Sequence, residues 1–161
     1  YGYGQPYAYG NSKYKVMSPI NIFLADDDED DRELFMDALS ELPIETSVKQ
    51  FENGVDLMAE LYSGNPKPDT IFLDLRMPLM DGFECLTDIR SIPELSEIQI
   101  IIYSTSFNQN EVDQLKEAGA NLYIKKPNSY NQLKTVLYKS LKPFQNTTSK
   151  TSDDLNFTVI V

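Results

Sequence analysis

The chain has 161 residues, of which 41% are hydrophobic, enough for one compact domain and too few for two. Its formal net charge of −11 argues against a broad basic surface for phosphate backbones, so we expect no direct nucleic acid binding. With no histidine and one cysteine, Cys85, the composition excludes a zinc site, a histidine acid or base, and an internal disulfide. No apolar run is long enough to cross a bilayer and no signal peptide pattern is present, so we expect no membrane association and a cytoplasmic location.

Composition divides the chain into three parts. Residues 1–17 are Tyr/Gly-rich without a helix or strand period, and we interpret them as an appended or upstream extension outside the fold. Residues 18–144 carry the folded domain, and residues 145–161 form a C-terminal tail whose first part is polar. The last five residues, Phe-Thr-Val-Ile-Val, are apolar enough that we expect them to pack on a partner or a neighbouring chain.

Short apolar runs alternate with segments of helical period along residues 21–141. Strands are predicted at 21–25, 47–51, 70–74, 99–103 and 121–125, and helices at 30–42, 54–62, 83–90, 110–118 and 129–141. The first, third and fourth strands are continuous apolar runs, which is typical of strands covered on both faces. The alternation predicts an α/β fold with a parallel sheet and helices on both faces. Gly119, just after the fourth helix, is placed to end it in a left-handed conformation.

The first strand runs directly into six acidic residues, 26–31. In an open parallel sheet, ligands bind beyond the carboxyl ends of the strands, so the polar residues at those ends are expected to converge. They are Asp26 and Asp27 after the first strand, Asp74 in the third, Ser104 and Thr105 after the fourth, and Lys126 after the fifth. Carboxylates gathered so closely repel one another, and a hard divalent cation such as Mg²⁺ turns that repulsion into a binding site.

A metal beside a third carboxylate and a lysine suits phosphoryl chemistry. Mg²⁺ and the Lys126 ammonium would neutralise charge on phosphoryl oxygens, and the ionised Asp74 would attack phosphorus without a general base. The product would be an aspartyl phosphate whose oxygens the Ser104 hydroxyl can reach by a hydrogen bond.

Simpler structural interpretations stay open for several of these residues. Asp26 and Asp27 are also good helix caps, and capping or solvation is the favoured role of Asp28, Asp30 and Asp31. Thr105 is as well suited to satisfying loop backbone groups as to a functional role. An alternative role for Tyr123 is that of an ordinary half-buried strand aromatic, and Cys85 is most simply a small core residue.

Four motifs, in order and at compatible spacings, resemble the receiver domains of two-component response regulators, in the CheY-like superfamily. They are Phe-Leu-Ala-Asp-Asp after the first strand, Ile-Phe-Leu-Asp-Leu-Arg-Met-Pro-Leu-Met-Asp-Gly around the third, Ile-Ile-Tyr-Ser-Thr-Ser at the fourth and Tyr-Ile-Lys-Lys-Pro at the fifth. The resemblance covers about residues 21–141. It implies a flavodoxin-like, doubly wound sheet of five parallel strands in the order 2-1-3-4-5.

The resemblance also implies a role for each site residue. Asp74 would be the phosphoacceptor, Asp27 a direct Mg²⁺ ligand, Asp26 a ligand largely through water, and the backbone carbonyl of Arg76 a further ligand. Ser104 would be the switch hydroxyl, Lys126 the phosphate-pairing lysine and Tyr123 the switch aromatic, with a cis peptide bond between Lys126 and Pro127.

The function implied is a stand-alone receiver that is not an enzyme in the ordinary sense, since it would catalyse only its own phosphorylation and dephosphorylation. A histidine kinase or phosphotransfer protein would supply the phosphoryl group, and a homodimer is one route to output. One alternative is a Mg²⁺-dependent phosphohydrolase with an Asp nucleophile, although Arg76 stands where such enzymes place a second Asp. The other is a pseudo-receiver that binds partners without phosphorylation.

Overall fold

A computed structural model describes residues 18–145 and 157–160 of the chain. The strands are β1 (Ile20–Ala25), β2 (Thr46–Phe51), β3 (Thr70–Leu73), β4 (Gln99–Ser104), β5 (Leu122–Lys125) and β6 (Thr158–Ile160). The helices are α1 (Glu29–Ser40), α2 (Gly54–Tyr62), α3 (Gly82–Ser91), α4 (Gln109–Ala118) and α5 (Tyr130–Leu141), with 3₁₀ turns at Pro93–Leu95 and Lys142–Gln145. The predicted elements are all present, with ends shifted by one or two residues.

The sheet is parallel throughout and has the order β2-β1-β3-β4-β5-β6. The predicted order 2-1-3-4-5 is therefore confirmed, but the prediction of five strands is wrong, because β6 extends the β5 edge. Val159 pairs with Tyr123 and Ile160 with Ile124. Residues 158–160 of the apolar C-terminal end thus join the sheet of their own chain, and not a partner or a neighbouring chain as the sequence suggests.

Two apolar layers cover the sheet, one on each face. Helices α2, α3 and α4 pack on one side through residues such as Leu57, Leu86 and Leu115, and α1 and α5 pack on the other through residues such as Phe35 and Leu137. Because β3 and most of β1 and β4 lie between these layers, nearly all their side chains are buried, whereas β2 at the edge alternates partly buried and exposed residues. The two-sided burial of the first, third and fourth strands is confirmed.

Side-chain caps fix where the helices begin. Asp28, Asn53, Asp81, Asn108 and Ser129 each accept a hydrogen bond from a backbone N–H in the first turn of the helix that follows. Each cap follows the loop at the carboxyl end of one of the strands β1 to β5, so the caps also set the paths of the loops that build the site.

Gly119 ends α4 with a φ of 108°, as the sequence predicts. A Cβ at this position would also lie 2.9 Å from the Arg90 side chain, so only glycine fits here. The predicted extension (residues 1–17) and most of the polar part of the predicted tail (residues 146–156) lie outside the described residues. Within residues 18–145 and 157–160, no helix combines the length and apolar character needed to span a membrane.

Candidate functional site

Strand register brings the predicted polar residues to one edge of the sheet. Ala25 of β1 pairs with Leu73 of β3, so the residues that follow, Asp26 and Asp74, lie side by side. The Asp74 N–H donates to the carbonyl oxygen of Ala25 at 2.9 Å. Similarly, the Lys126 N–H donates to the Ser104 carbonyl oxygen at 2.7 Å. The predicted convergence of residues far apart in sequence is therefore found.

Three carboxylates form a compact acidic cluster at this edge. One carboxylate oxygen from each of Asp26, Asp27 and Asp74 lies within 4.8 Å of the other two. Asp26 and Asp74 are buried, with exposures of 1% and 7%, and Asp27 is exposed. An all-oxygen set with one open side is what Mg²⁺ accepts in proteins, because this ion keeps several of its waters. The cluster therefore fits the predicted metal.

The Lys126 ammonium sits among these acids. Its Nζ lies 2.7 Å from Asp26 Oδ2, 2.8 Å from Asp31 Oδ2 and 3.7 Å from Asp74 Oδ2. Although burial alone disfavours the charged form, the hydrogen bonds to Asp26 and Asp31 raise the pKa of Lys126 above its ordinary value. Lys126 is thus a permanent cation at the site, and in this state it is closer to Asp31 than to Asp74.

The surroundings of Asp74 disfavour the ionised form of its carboxyl group and raise its pKa. Burial raises its pKa to about 7, and the neighbouring charge of Asp26 acts in the same direction, while Lys126 and a backbone hydrogen bond from Arg76 act in the other. One ammonium does not offset the surplus of carboxylates, and a second cation would bring the pKa of Asp74 down again.

Two residues fix the loop between β1 and α1: Arg32, whose part the sequence did not indicate, and Asp28, whose predicted capping role is confirmed. Arg32 reaches back from α1 and donates from Nη1 to the Asp26 carbonyl oxygen at 2.7 Å and from Nε to Gln50 Oε1 at 3.2 Å. Asp28 caps α1, and its own N–H donates to Asp26 Oδ1 at 3.0 Å. The only sequence signal for this role of Arg32 is that it is a cation directly after six acidic residues.

The role of Asp31 was also missed in part. Its place in the first turn of α1 agrees with the predicted capping or solvation, but its carboxylate in addition pairs with Lys126 across 95 residues of sequence. Both roles, a favourable charge at the helix start and an ion pair with Lys126, require an acidic residue at position 31, so the sequence alone does not separate them.

The loop after β3 approaches Asp74 very closely. A Cβ on Gly82 would lie 2.3 Å from the Asp74 carbonyl oxygen, so glycine is required there, and the Gly82 N–H donates to the Leu75 carbonyl oxygen at 3.1 Å. Asp81 and Glu84 form a reciprocal capping box that begins α3. The exposed Leu79 has a φ of 69°, an uncommon backbone conformation for a residue other than glycine.

The predicted switch residues lie next to one another. Ser104 is buried, and its Oγ is 3.5 Å from that of Ser106. Tyr123 is fully buried, its hydroxyl donates to the Ser106 carbonyl oxygen, and the half-exposed Phe107 packs edge-on against its ring. Burial raises the pKa of Tyr123, so its hydroxyl stays protonated and a donor. Thr105 is exposed.

The expectation of a cis bond between Lys126 and Pro127 is wrong, since this peptide bond is trans. The trans form is the lower-energy one for an X-Pro bond, by about 0.5–1 kcal/mol. With the bond in this form, the Lys126 ammonium still reaches Asp26 and Asp31.

A doubly wound parallel sheet with a buried aspartate, two further acids and a lysine at its carboxyl edge defines a class of phosphoryl-accepting α/β domains. Residues 22–138 match the family model of the response regulator receiver domain. The chain belongs to this family.

Similar proteins agree with the assignment. The response regulator Rcp1 of Synechocystis sp. (strain PCC 6803) is 31% identical over 120 residues, which are 71% of this chain and 82% of Rcp1. The crystal structure of the phosphorylated cyanobacterial phytochrome response regulator RcpA superposes with a TM-score of 0.73 at 31% identity, covering 83% of this chain and 98% of RcpA. The Mn²⁺-bound form of Rcp1 gives a TM-score of 0.72 at 28% identity, covering 81% and 98%.

Proposed function

We propose that the chain accepts a phosphoryl group on Asp74, with Mg²⁺ bound by Asp26, Asp27, Asp74 and the backbone carbonyl of Arg76. The observation that carries the proposal is the buried Asp74 carboxylate, which shares a site with two other acids and lies 3.7 Å from the Lys126 ammonium. When bound, Mg²⁺ would neutralise charge on the carboxylates and on the phosphoryl oxygens.

In the proposed reaction, a carboxylate oxygen of Asp74 attacks phosphorus. The bond from phosphorus to the donor nitrogen or oxygen breaks, and the donor atom keeps the electron pair. Lys126 then turns from Asp31 towards the new phosphoryl oxygens, and Ser104 donates a hydrogen bond to one of them. Because Tyr123 is packed beside Ser106, a shift of the β4 to α4 loop changes its surroundings and thus the surface around β5.

Receiver domains are phosphorylated by histidine kinases, and we propose a histidine kinase or phosphotransfer protein as the donor of this one. Its similarity to RcpA, a cyanobacterial phytochrome response regulator, makes a phytochrome the first donor to test. We further propose output by protein contact, including a homodimer, and a cytoplasmic setting. The proposed domain covers residues 18–144, and β6 adds a strand to it from the tail.

The proposal is tested by intact-mass measurement after incubation with acetyl phosphate. With Mg²⁺, the wild-type protein should gain one phosphoryl group, and with chelator none. Asp74→Asn should gain none under either condition, because an amide is a poor nucleophile. Phosphorylation of Asp74→Asn at the wild-type level would refute the assignment, and steady release of many equivalents of phosphate would favour the phosphohydrolase.

Asp69→Asn is a suitable control. Asp69 lies just before the opposite end of β3 and accepts a hydrogen bond from the Asn21 N–H there. This variant should be phosphorylated like the wild type.

A further inference from the structure

An ion pair connects the loop after Asp74 to helix α4. Arg76 Nη2 lies 3.1 Å from Oε2 of Glu111, which is in the first turn of α4. The Arg76 side chain is 71% exposed, so it has room to change direction. The pair therefore joins the neighbourhood of the candidate phosphoacceptor to an element that carries none of the site carboxylates.

Only one of the two carboxylate oxygens of Glu111 has a partner among the described residues. Its second oxygen, Oε1, is the one buried side-chain nitrogen or oxygen without a hydrogen-bond partner in the part of the chain that the structure describes. A buried carboxylate oxygen without a partner carries a desolvation cost that nothing offsets. The Arg76–Glu111 pair is therefore a contact that a better partner for either residue would displace.

The pair also lies within electrostatic reach of the switch residues. Arg76 follows Asp74 by two residues, and its backbone lowers the pKa of the Asp74 carboxyl, so the start of the Arg76 side chain lies beside the phosphoacceptor. Burial is the largest influence on the pKa of the Tyr123 hydroxyl, and the charges that act on it are those of Glu111, Arg76 and Asp74. One neighbourhood thus contains the acceptor, the pair and the aromatic.

We propose that Arg76 is a second phosphoryl-binding cation, which stays paired with Glu111 until Asp74 is phosphorylated. The inference rests on the proposed function of Asp74. A phosphoryl group carries about −1.5 to −2 charges at neutral pH against −1 for Glu111, and the planar guanidinium pairs with two phosphoryl oxygens at once. Arg76 therefore exchanges Glu111 for the phosphoryl group.

The exchange has a consequence at α4. Glu111 loses its counterion and is left beside the Asn108 cap with no cation to hold it. The first turn of α4 then loses its tie to the loop after β3. Glu111 acts here as a positioning residue, and the pair transmits the phosphorylation state to α4.

The test is a double-mutant cycle on the affinity for beryllofluoride with Mg²⁺, measured by titration calorimetry of the wild type, Arg76→Gln, Glu111→Gln and the double variant. Arg76→Gln should weaken binding about fivefold to tenfold, because a charge-assisted contact is lost. Glu111→Gln should tighten it about threefold, because Arg76 no longer has a competing partner. In the Arg76→Gln background, Glu111→Gln should change nothing.

The cycle separates exchange from a general field effect. If removing the charge of Glu111 acted only through the field at the site, Glu111→Gln would tighten binding equally in both backgrounds, and the inference would be overturned. An unchanged affinity in Arg76→Gln would overturn it as well. If the wild type itself fails to bind beryllofluoride, the proposed function of Asp74 fails first.

A second measurement reports on α4 directly. Beryllofluoride with Mg²⁺ should speed amide hydrogen exchange in residues 109–112 of the wild type and leave it unchanged in Arg76→Gln. Lys49→Gln is the matched control, since it breaks a comparable surface pair, Lys49 with Glu60 at 2.8 Å, on the opposite edge of the sheet. It should alter neither measurement.

Discussion

Two cations lie at opposite ends of β5 and are held in different ways. At the amino end, Arg90 of α3 donates only to neutral oxygens, those of Gly119 at 2.9 Å, Asn121 at 2.8 Å and Ser96 at 3.3 Å. At the carboxyl end, Lys126 is surrounded by carboxylates at 2.7, 2.8 and 3.7 Å. Both are well bonded, but only one has a surplus of opposite charge around it.

The difference separates a structural contact from a functional one. Backbone carbonyls and an amide satisfy Arg90 permanently, and Asn121 in turn accepts from the Ile100 N–H, so this end of the sheet is closed. Around Lys126, the carboxylates outnumber the ammonium. Together with burial, this surplus of negative charge raises the pKa of Asp74 to about 7. That end is complete only with a further cation, which Mg²⁺ would supply in the proposed function.

Removal of Lys126 or of Arg90 should give the largest effects and tests the difference between the two ends of β5. Lys126→Met leaves buried carboxylates without their counterion, and we expect a loss of about 3–5 kcal/mol in the free energy of unfolding without divalent ions. Much of that loss should be recovered with Mg²⁺. Arg90→Met should cost about 1–3 kcal/mol, from unsatisfied oxygens, and Mg²⁺ should not restore it.

Urea unfolding in chelator and in Mg²⁺ measures both effects. The comparison would be contradicted by rescue of Arg90→Met, or by a loss in Lys126→Met that is the same under both conditions.

Neighbouring acids sharpen the assignment of the metal. Asp27→Ala should weaken Mg²⁺ binding about a hundredfold and remove phosphorylation with it, since a ligand is lost. Asp28→Ala is the matched control, because it removes the α1 cap at a cost of about 1 kcal/mol in stability while leaving the ligands in place. Calorimetric titration with Mg²⁺ and thermal unfolding separate the two, and equal loss of Mg²⁺ affinity in both variants would argue against Asp27 as a ligand.

The pH dependence of Mg²⁺ binding tests the surplus of negative charge directly. Because the pKa of Asp74 is raised from 3.8 to about 7, Mg²⁺ must displace a proton below that pH, so its affinity should fall about tenfold per pH unit there and level off above it. Without metal, the same shift stabilises the fold below about pH 4, and that contribution is lost as pH rises to about 7.

Asp74→Asn should remove both pH trends. An Mg²⁺ affinity independent of pH between 5 and 8 in the wild type, measured by calorimetry, would contradict the raised pKa.

Local patterns were enough to predict most of the fold. The continuous apolar runs of β1, β3 and β4 and the helical stripes between them were predictable from the burial of apolar faces. Gly119 was predictable because glycine readily adopts the positive φ at which α4 ends. The strand β6 was missed because three residues after a long polar stretch carry no period of their own. It forms because the β5 edge offers a partner, which is a property of the tertiary structure.

The positions of the site residues were predictable because register carries strand ends to one edge. Asp26, Asp74, Ser104 and Lys126 meet there as expected. Two ion pairs around the site were not predictable, that of Asp31 with Lys126 and that of Arg76 with Glu111. They join residues at exposed or capping positions, where the residue type already had a local explanation. Only distances between side chains distinguish the two roles.

The most direct test of the central claim is the position of a bound divalent ion, determined by anomalous scattering from crystals grown with Mn²⁺ and beryllofluoride. We predict one Mn²⁺ within bonding distance of the Asp27 and Asp74 carboxylates, with beryllofluoride on Asp74. Mn²⁺ bound instead by the outer acids Asp28, Asp30 and Asp31, or no Mn²⁺ near Asp74 at saturating concentration, would contradict it.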